Sequence, residues 1–544
     1  MRPTSLHAAI RAAARVPRGA SLLLAAIRAG ARVPRGASLL LAAIVAAASP
    51  ASAAVLLPPG FADHVVTAGF DRPTAFAFLP DGRVLVAEQK TGAIRLVIGG
   101  SVSPQPLVIV PNLVTAAEER GLLAIAVDPA WPARPFVYVH ATVQGDVMRL
   151  LRYTATGTLT GPTSFGLALG DPYLVLDGLA DVNPVHNGGA LRFAPDGRLF
   201  YSLGDDFDAC QARDSTTLHG ALLRLDVSKL PAGPGGPPPR AALVCPDNPW
   251  AGGADPDAKL VWAYGLRNPF RFVVDPQSGT PYVSDVGDNS WEELDEVTAG
   301  FDGGWPFREG PALHTWLGCN EPGGQGHGSY DGPIDSYDHN EGFVIIAAGV
   351  VRYRFGSAWP VAWDGNVLYA DYYTGFLRMV GRVGGSWQRI AVAGQPDPLY
   401  FATGLTAPVD FAWGPNGDLY WLQQDDGAGT PNKGVLHRIH AADPAAVSPV
   451  PGGARLALAV SPNPAAGAVS LRLTLALDGP VRLTVSDVSG RVVATPLDGA
   501  LSRGTHTLSW NGRDASGRET PGGLYFARLI TPAGVVTTRI ARVR

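Results

Sequence analysis

The stretch LRFAPDGRLFYSLGDD, residues Leu191–Asp206, shows the pattern on which the fold prediction depends. An apolar segment runs into the turn dipeptide Asp196-Gly197, and a second apolar segment follows that turn. An Asp-Gly pair between two such segments is a strong hairpin signal, because glycine readily adopts the positive φ of tight hairpin turns. The sequence therefore predicts two antiparallel strands here.

Related units recur on both sides of this hairpin. They are FAFLPDGRVLVAEQKTGAIRLV (Phe76–Val97), AVDPAWPARPFVYVHATV (Ala126–Val143), FRFVVDPQSGTPYVSDVGD (Phe270–Asp288), WDGNVLYADYYTGFLRMV (Trp363–Val380) and FAWGPNGDLYWLQ (Phe411–Gln423). Six units of about 60 residues each are compatible with propeller blades that carry long insertions. An array of β-sandwiches is the alternative, but it would not repeat one turn-centred unit around a single glycine-rich face. We therefore predict an all-β fold, with a six-bladed β-propeller over residues 55–440.

The two ends of the chain differ in composition and pattern from the region between them. Residues 1–53 contain the segment ARVPRGASLLLAAI twice, each time an apolar run behind arginines, and end in Ala51-Ser52-Ala53. These runs are shorter than the roughly 18–20 residues that cross a bilayer, so they predict a secretory signal rather than a transmembrane anchor. We therefore expect an exported protein, located in the periplasm, at the cell surface or outside the cell.

The carboxyl-terminal part begins after a Pro/Ala/Gly-rich linker at residues 441–453. Short strand-like segments at intervals of about 8–12 residues predict a small Ig-like β-sandwich over residues 454–544. The phrases HTLSWNGRDASG (His506–Gly517) and PGGLYFARL (Pro521–Leu529) resemble the flagellar-hook-capping Ig-like module and secretion-sorting tails. None of its residues suggests catalysis, so a sorting or anchoring role is expected.

Charge and cysteine content exclude several classes of function. The formal net charge of −4 gives no basic footprint for nucleic acid. The three cysteines, Cys210, Cys245 and Cys319, have no C-x-x-C spacing, which leaves a zinc site or a thioredoxin motif unsupported. In an exported protein Cys210 and Cys245 are a candidate pair that would leave Cys319 free, although sequence alone leaves the connectivity open.

Chemistry-bearing residues concentrate in two stretches. In NPVHNGGALRF, His186 stands in a turn next to glycines, which allow close approach of a ligand to the backbone, and Asp205 follows one hairpin later, where it can orient the histidine. A purely structural histidine is the alternative. In the second stretch, Arg267 and Asn268 end an apolar segment, and backbone carbonyls near Gly287-Asp288 are candidate ligands of a hard cation such as Ca²⁺. The acidic run after Gly287 could equally be a solvated face.

Taken in order, these motifs resemble one enzyme family. They are ERGLLAIAVDP (Glu119–Pro129), VHNGGALRFAPDG (Val185–Gly197), WAYGLRNPFRF (Trp262–Phe272), DVGDNSWEELDEV (Asp285–Val297) and GGWP (Gly303–Pro306). The sequence resembles the PQQ-dependent glucose/sorbosone (aldose sugar) dehydrogenases over about Leu57–Ile439. The resemblance implies a propeller with PQQ across one face and Ca²⁺ bridging cofactor and protein.

The resemblance also implies residue roles. His186 matches the general base that takes the proton from the C1 hydroxyl of the sugar, and Asp205 matches the aspartate that orients it. Arg267 matches the cation beside the quinone oxygens, and Asn268 a neighbouring cofactor contact. The main-chain carbonyls of the calcium site match Gly287 and Asp288.

Four positions depart from the family pattern. Glu119 stands where glucose-oxidising members have glutamine, and Arg354 where a cofactor-binding lysine is expected. Ala407 and Val409 replace two arginines of the last blade, which removes two cations from the pocket of a trianionic cofactor. Glu119 and Arg354 are still predicted to contact the cofactor.

Three functions follow from these observations. The resemblance implies an exported oxidoreductase that oxidises an aldose or related sugar at C1 by hydride transfer to PQQ and passes electrons to an acceptor in the cell envelope. A secreted propeller that binds carbohydrate or protein without catalysis is the second. A Ca²⁺-dependent lactonase-type propeller hydrolase is the third.

Overall fold

The computed structural model describes residues 54–116, 119–314, 319, 330–352, 359–441, 456–475, 479–487, 491–531 and 534–543. The predicted secretory signal and Arg354 lie outside these residues. Strands dominate the described chain, which confirms the all-β prediction. Short 3-10 turns interrupt the strands at Gln211–Arg213, Arg240–Leu243, Ala258–Leu260 and Val361–Trp363. No helix within the described residues is long and apolar enough to span a membrane.

The first 27 strands lie between Phe61 and Ala441. They are β1 (Phe61–Phe70), β2 (Pro73–Phe78), β3 (Val84–Glu88), β4 (Ala93–Ile98), β5 (Ser101–Val102), β6 (Val108–Ile109), β7 (Leu122–Val127), β8 (Phe136–Val143), β9 (Val147–Gly157), β10 (Leu167–Ala180), β11 (Leu191–Phe193), β12 (Leu199–Leu203), β13 (Ala221–Leu225), β14 (Val261–Ala263), β15 (Arg271–Val274), β16 (Pro281–Asp285), β17 (Trp291–Glu296), β18 (Arg308–Glu309), β19 (Ala312–Leu313), β20 (Asp335–Asp338), β21 (Ile345–Val350), β22 (Val367–Asp371), β23 (Leu377–Val383), β24 (Ser386–Arg389), β25 (Pro408–Trp413), β26 (Leu419–Gln423) and β27 (Gly434–Ala441).

These strands form antiparallel sheets in chain order. The larger sheets are β2-β3-β4-β5 with β6 beside β4, β7-β8-β9-β10, β11-β12-β13-β14, β15-β16-β17-β20, β21-β22-β23-β24, and β25-β26-β27 completed by β1. Strands β18 and β19 form a separate hairpin. The first strand of the chain thus completes the last sheet, with Phe61 opposite Ala441 and Phe70 opposite Gly434. That pairing fixes the start of this region to its end.

Contacts between first strands run in a circle. Strand β2 contacts β7, β7 contacts β11, β11 contacts β15, β15 contacts β21, β21 contacts β25, and β25 contacts β2 again. Apolar clusters fill the spaces between consecutive sheets. Strands such as β12 are buried along their whole length, because both of their faces pack against neighbouring sheets. That these sheets are the six blades of a closed ring stays a prediction.

Arg271 connects the first strands of several sheets. The guanidinium of Arg271, at the start of β15, donates hydrogen bonds to the carbonyl oxygens of Thr74 (2.6 Å), Gly189 (2.6 Å) and Val409 (2.8 Å). These three carbonyls belong to three other sheets or to the loops that enter them. Burial lowers the pKa of Arg271 to about 10, and the nearby Asp410 carboxylate opposes that shift. Arg271 remains a cation at neutral pH and binds the first strands together.

The disulfide differs from the candidate pairing. Cys210 is bonded to Cys319, with Cα atoms 5.3 Å apart, so the pairing of Cys210 with Cys245 is wrong. Cys245 is the free cysteine and is fully buried, and burial raises the pKa of its thiol to about 11. Cys210 lies in the loop after Asp205, so its bond joins that loop to the segment after β19.

The carboxyl-terminal strands form two further sheets. They are β28 (Ala457–Ser461), β29 (Val469–Leu475), β30 (Gly479–Asp487), β31 (Val492–Leu501), β32 (Gly504–Trp510), β33 (Gly523–Thr531) and β34 (Gly534–Arg542). One sheet has the order β28-β29-β32 and the other β31-β30-β33-β34. Buried residues of both sheets, including Leu471, Leu483 and Trp510, belong to one apolar cluster. This layering agrees with the sandwich expected there.

Candidate active site

The predicted site residues lie in loops at one end of the strands. His186 comes before β11 and Asp205 lies between β12 and β13, while Arg267 and Asn268 come before β15. Asp288 follows between β16 and β17. Segments that enter a first strand and segments that join a second strand to a third occur at the same end of an antiparallel sheet. The topology therefore collects these residues on one face.

His186 and Asp205 form a buried pair. Nδ1 of His186 lies 2.7 Å from Oδ1 of Asp205. An ionised carboxylate only accepts hydrogen bonds, so Nδ1 carries the proton and Nε2 presents its lone pair. Oδ2 of the same aspartate accepts the indole N–H of Trp305 at 2.8 Å. No described residue hydrogen-bonds to Nε2, which leaves that atom available to a substrate.

The backbone of His186 is held in an unusual conformation. Its φ is +61°, a left-handed value that costs free energy in a residue other than glycine. Oε2 of Glu119 accepts the His186 N–H at 2.7 Å. A Cβ on Gly204 would lie 2.0 Å from the His186 carbonyl oxygen, so only glycine fits there. Glu119, predicted as a cofactor contact, thus supports the histidine loop.

Arg120 does not pair with the neighbouring Glu119. Its Nε donates to Oδ1 of the buried Asp181 at 3.1 Å, and the Asn187 side-chain amide donates to the same oxygen at 2.8 Å. Burial raises the pKa of Asp181 to about 7 despite these contacts. Because Asp181 precedes His186 and Asn187 follows it, these contacts stiffen the chain on both sides of the histidine. The Glu119 carboxylate is bonded to the His186 loop instead of to Arg120.

Arg267 stands beside the histidine pair. Its main-chain carbonyl accepts the N–H of Asp205 at 2.8 Å, and its guanidinium carbon lies 5.4 Å from the centre of the Trp305 ring. Nη1 donates to the carbonyl of Val286 at 3.0 Å and Nη2 to Oδ1 of Asp288 at 3.1 Å. Nε is buried and has no partner in the described part of the chain. A buried guanidinium with a spare donor is suited to an anionic ligand.

Asp285 fixes the backbone that carries this arginine. Its two carboxylate oxygens accept the N–H groups of Arg267 (2.8 Å) and Asn268 (2.7 Å). The side-chain oxygen of Asn268 accepts the N–H of Gly188 at 3.0 Å, so Asn268 joins the arginine loop to the histidine loop. Burial raises the pKa of Asp285 to about 7 even though both hydrogen bonds oppose that shift.

The Gly287-Asp288 loop is shaped by a carboxylate that the sequence did not reveal. Oε1 of Glu309 accepts the N–H groups of Asp288, Asn289 and Ser290 at 2.8, 2.9 and 2.8 Å. Burial alone would raise the pKa of Glu309, but these N–H groups outweigh it and lower the pKa. A Cβ on Gly287 would lie 1.7 Å from a main-chain oxygen, so the turn requires glycine.

The same loop offers oxygen atoms to a cation. Carboxylate and carbonyl oxygens are the ligands that Ca²⁺ prefers, and Gly287 and Asp288 supply both kinds. The Asp288 carboxylate is already paired with Arg267 and with the Asn289 amide. No group of three or more His, Cys, Asp and Glu residues in the described chain is arranged to hold a metal. A calcium ion would therefore depend on main-chain carbonyls.

Apolar side chains occupy the two positions where the family resemblance predicts arginines. Val409 is fully buried in an apolar cluster, and Ala407 is buried with a φ of +43°. The Gln424 N–H donates to the Ala407 carbonyl at 3.0 Å, and its side chain belongs to a chain of amides and a phenol: Tyr372 Oη donates to Gln424 Oε1 at 2.7 Å, and Gln424 Nε2 lies 3.4 Å from Gln89 Oε1. The Val409 carbonyl accepts from the buried guanidinium of Arg271, which also lies beside the Asp410 carboxylate. No cation replaces the two expected arginines at these two positions.

These residues fit PQQ on one side of the face and less well on the other. His186, Arg267 and Asn268 supply an open base, a buried cation and a fixed amide, while Ala407 and Val409 supply no charge of their own. The sequence missed Trp305, Glu309 and Arg271, although all three lie in or next to motifs quoted for the family resemblance. Their role is to hold other residues, and such a role leaves no pattern of its own in a single sequence.

Comparison with known proteins identifies related families. The sequence profile of the glucose/sorbosone dehydrogenases matches residues 70–380, and that of the FlgD Ig-like domain matches residues 453–529. The HIPL2 protein of Arabidopsis thaliana is 29% identical over 41% of this chain and 33% of its own length. Aldose sugar dehydrogenase YliI of Escherichia coli is 28% identical over 46% of this chain and 62% of its own length. The chain thus spans a third to two thirds of these relatives.

A solved structure shares the fold. The PQQ-bound form of aldose sugar dehydrogenase from Streptomyces coelicolor superposes with a TM-score of 0.51 at 22% identity, over 70% of this chain and all of the other. At that identity the likeness supports the propeller-type fold and nothing finer. The dehydrogenase profile, in contrast, matches more than half of the sequence. The protein therefore belongs to the glucose/sorbosone dehydrogenase family.

Proposed function

We propose that this protein is an exported quinoprotein oxidoreductase that oxidises an aldose or a related sugar at C1, with PQQ as cofactor. The observation that carries the proposal is the His186–Asp205 pair, which leaves Nε2 open and is connected through Trp305 to the buried Arg267 guanidinium. In this proposal the six sheets are the blades of a closed propeller, and residues 454–544 form the appended sorting or anchoring domain.

His186 acts as the general base. Its Nε2 takes the proton from the C1 hydroxyl of the sugar, and the Asp205 carboxylate stabilises the imidazolium that results. Trp305, through its hydrogen bond to Oδ2, keeps the carboxylate oriented toward Nδ1. PQQ, when bound, supplies the two-electron acceptor for the hydride that leaves C1. The protein's own contribution to this step is the placement of the base.

Arg267 and Asn268 hold the cofactor side of the site. The guanidinium is a fixed, poorly hydrated cation, so it stabilises negative charge without the reorganisation that water would need. Asn268 keeps the two loops in register through Gly188. Glu119 supports the histidine loop in this scheme, and Arg354 keeps its predicted cofactor contact.

Calcium and electron transfer complete the proposal. Ca²⁺ would be held near Gly287 and Asp288 by oxygen ligands, so incubation with a chelator should lower turnover and added Ca²⁺ should restore it. Electrons would then pass to an acceptor in the cell envelope, in line with the predicted secretory signal at residues 1–53. Mass spectrometry of the exported protein should find a chain that begins at Ala54.

A second function has one observation in its favour. Ala407 and Val409 stand where two cations are expected for a trianionic cofactor, as they would in a secreted propeller that binds carbohydrate or protein without catalysis. The buried Arg267 and the His186–Asp205 pair favour the enzyme, because binding alone needs neither. Nothing in the described residues favours the lactonase alternative.

One experiment separates these functions. The purified protein is mixed with PQQ and Ca²⁺, and dye reduction is followed with a panel of aldoses. His186→Ala should lower kcat about 10²–10⁴-fold, the usual contribution of a positioned base. His440→Ala is the matched control, because His440 also pairs with an aspartate (Asp418, 2.8 Å) but lies at the other end of the strands. If the protein reduces the dye with none of the aldoses in the panel, the enzyme proposal is contradicted.

A further inference from the structure

Phe207 is an exposed aromatic residue at the edge of the candidate active site. Its side chain is 63% exposed, although large apolar side chains are usually buried. The ring lies 5.2 Å from the imidazole of His186, centre to centre, with the two planes inclined at 65°. An edge-to-face contact of this kind leaves a face of the phenyl ring open to a ligand beside the base.

The backbone at Phe207 is costly to form. Asp206 and Phe207 have φ values of +53° and +58°, in the left-handed region that glycine occupies without penalty. Two successive residues of this kind carry strain, and strain in proteins concentrates at functional sites. A glycine would satisfy the turn better than a phenylalanine. The side chain of Phe207 is therefore present for a reason other than the turn.

Hydrogen bonds on both sides fix the backbone that carries the ring. The N–H of Phe207 donates to Oδ1 of Asp205 at 2.8 Å, the same oxygen that accepts from His186. The Asp206 carboxylate accepts the N–H groups of Val182 (2.9 Å) and Asn183 (3.0 Å). The strained turn thus shares its anchor, Asp205, with the catalytic pair, which keeps the backbone of Phe207 beside the base that the ring contacts.

We propose that Phe207 is a specificity-determining residue that holds the apolar face of the sugar beside Nε2 of His186. The C–H groups on one face of a pyranose carry partial positive charge, and the face of a phenyl ring carries the negative part of its quadrupole. A sugar stacked on Phe207 would present its anomeric hydroxyl to a base a few ångströms away. This inference rests on the proposed function and adds a substrate contact to it.

The test compares substitutions at Phe207. Phe207→Ala keeps a non-glycine residue in the same strained turn and removes the ring, so KM for the best aldose should rise about tenfold while kcat changes less than about threefold. Phe207→Trp should keep KM near the wild-type value. Phe165→Ala is the control, because Phe165 is also exposed (42%) but lies in the connection between β9 and β10.

Two further measurements exclude other roles. Phe207→Gly relieves the left-handed strain, so its melting temperature should equal or exceed that of the wild type; a lower value would mean that the ring serves stability. The Kd of PQQ, measured by absorbance titration, should be unchanged in Phe207→Ala. A Kd that rises with KM unaltered would place the ring against the cofactor and overturn the proposal.

Failure of this inference is distinguishable from failure of the proposed function. If the wild type oxidises aldoses and Phe207→Ala keeps the wild-type KM, the proposed activity is supported and the proposed role of Phe207 is wrong. If the wild type oxidises no aldose, saturation-transfer NMR with glucose as the probe still tests the contact. Loss of the glucose signal in Phe207→Ala would support it, and an equal signal in both proteins, or none in the wild type, would overturn it.

Discussion

The two sides of the candidate site are built in different ways. Around His186 and Arg267, each polar group is fixed by others: carboxylates hold backbone N–H groups, and one aspartate receives an imidazole, an indole and an amide. Ala407 and Val409 are themselves apolar, and Gln424, whose N–H donates to the Ala407 carbonyl, is bonded through its side chain to an amide and a phenol. The cation that contacts Val409, Arg271, is fully buried and bonded to main-chain carbonyls. Under the proposed function, the difference means a rigidly held base on the first side and two fewer cations for the cofactor on the second.

The two sides should influence two different free energies, the barrier of the chemical step and the affinity for the cofactor. Rigid placement of a base lowers the barrier of the chemical step, whereas charge around an anionic cofactor mainly sets its affinity. We therefore expect a protein that turns over well when loaded but binds PQQ more weakly than a site with two more arginines would. Substitutions on the first side should change kcat, and substitutions on the second side should change the Kd of PQQ.

The largest effect after that of His186 is expected at Arg267. Arg267→Met removes the buried cation but keeps much of the side-chain volume, and loss of one preorganised electrostatic group typically lowers kcat about 10²–10³-fold. Steady-state kinetics at saturating PQQ would measure it. Arg198→Met is a suitable control, because this arginine pairs with Asp226 at the far end of the strands. Equal kcat in wild type and Arg267→Met would remove the arginine from the chemistry.

A smaller effect, a gain in affinity for PQQ, is expected from a substitution at Ala407. Its φ of +43° is already left-handed, so Ala407→Lys adds a cation without new β-branched strain. One ion pair with a carboxylate of the cofactor should lower the Kd of PQQ about tenfold, or about 1.4 kcal/mol. Ala407→Met controls for the bulk of the side chain. If both variants bind PQQ alike, the missing charge is not what limits affinity.

The smallest effect concerns the pH dependence of stability. Burial raises the pKa of Asp285 to about 7 in the folded protein, against 3.8 for an ordinary aspartate such as that of the unfolded chain. Between these values the folded state holds the extra proton, so the free energy of unfolding should fall as pH rises from about 4 to 7, by at most about 1.4 kcal/mol per pH unit from this group.

Urea unfolding at several pH values measures that dependence. Asp285→Asn removes the titration, so the slope between pH 4 and 7 should become less negative. Asp177→Asn is the control, because Asp177 lies on β10 and its side chain is partly exposed. An unchanged slope in Asp285→Asn would mean that the carboxyl does not titrate in this range.

Much of this architecture follows from local sequence signals. Asp-Gly and Asn-Gly turns mark the hairpins, and the spacing of His186 and Asp205 by one hairpin places them together at one end of the sheet. Arg271 and Glu309 carry no such signal, because their partners are main-chain atoms, some of them more than a hundred residues away. The Cys210–Cys319 bond was missed for a related reason: pairing depends on which loops meet, and 109 residues separate the two cysteines.

The central claim is that His186 removes a proton from an aldose whose electrons pass to PQQ, and single-turnover reduction of bound PQQ tests it most directly. Wild type and His186→Ala are loaded with equal amounts of PQQ and Ca²⁺, mixed anaerobically with excess aldose, and followed by the absorbance of the cofactor. We expect rapid reduction in the wild type and a rate about 10²–10⁴-fold lower in His186→Ala, with equal PQQ binding in both. Reduction at the same rate in the two proteins, or no reduction in the wild type, would contradict the account.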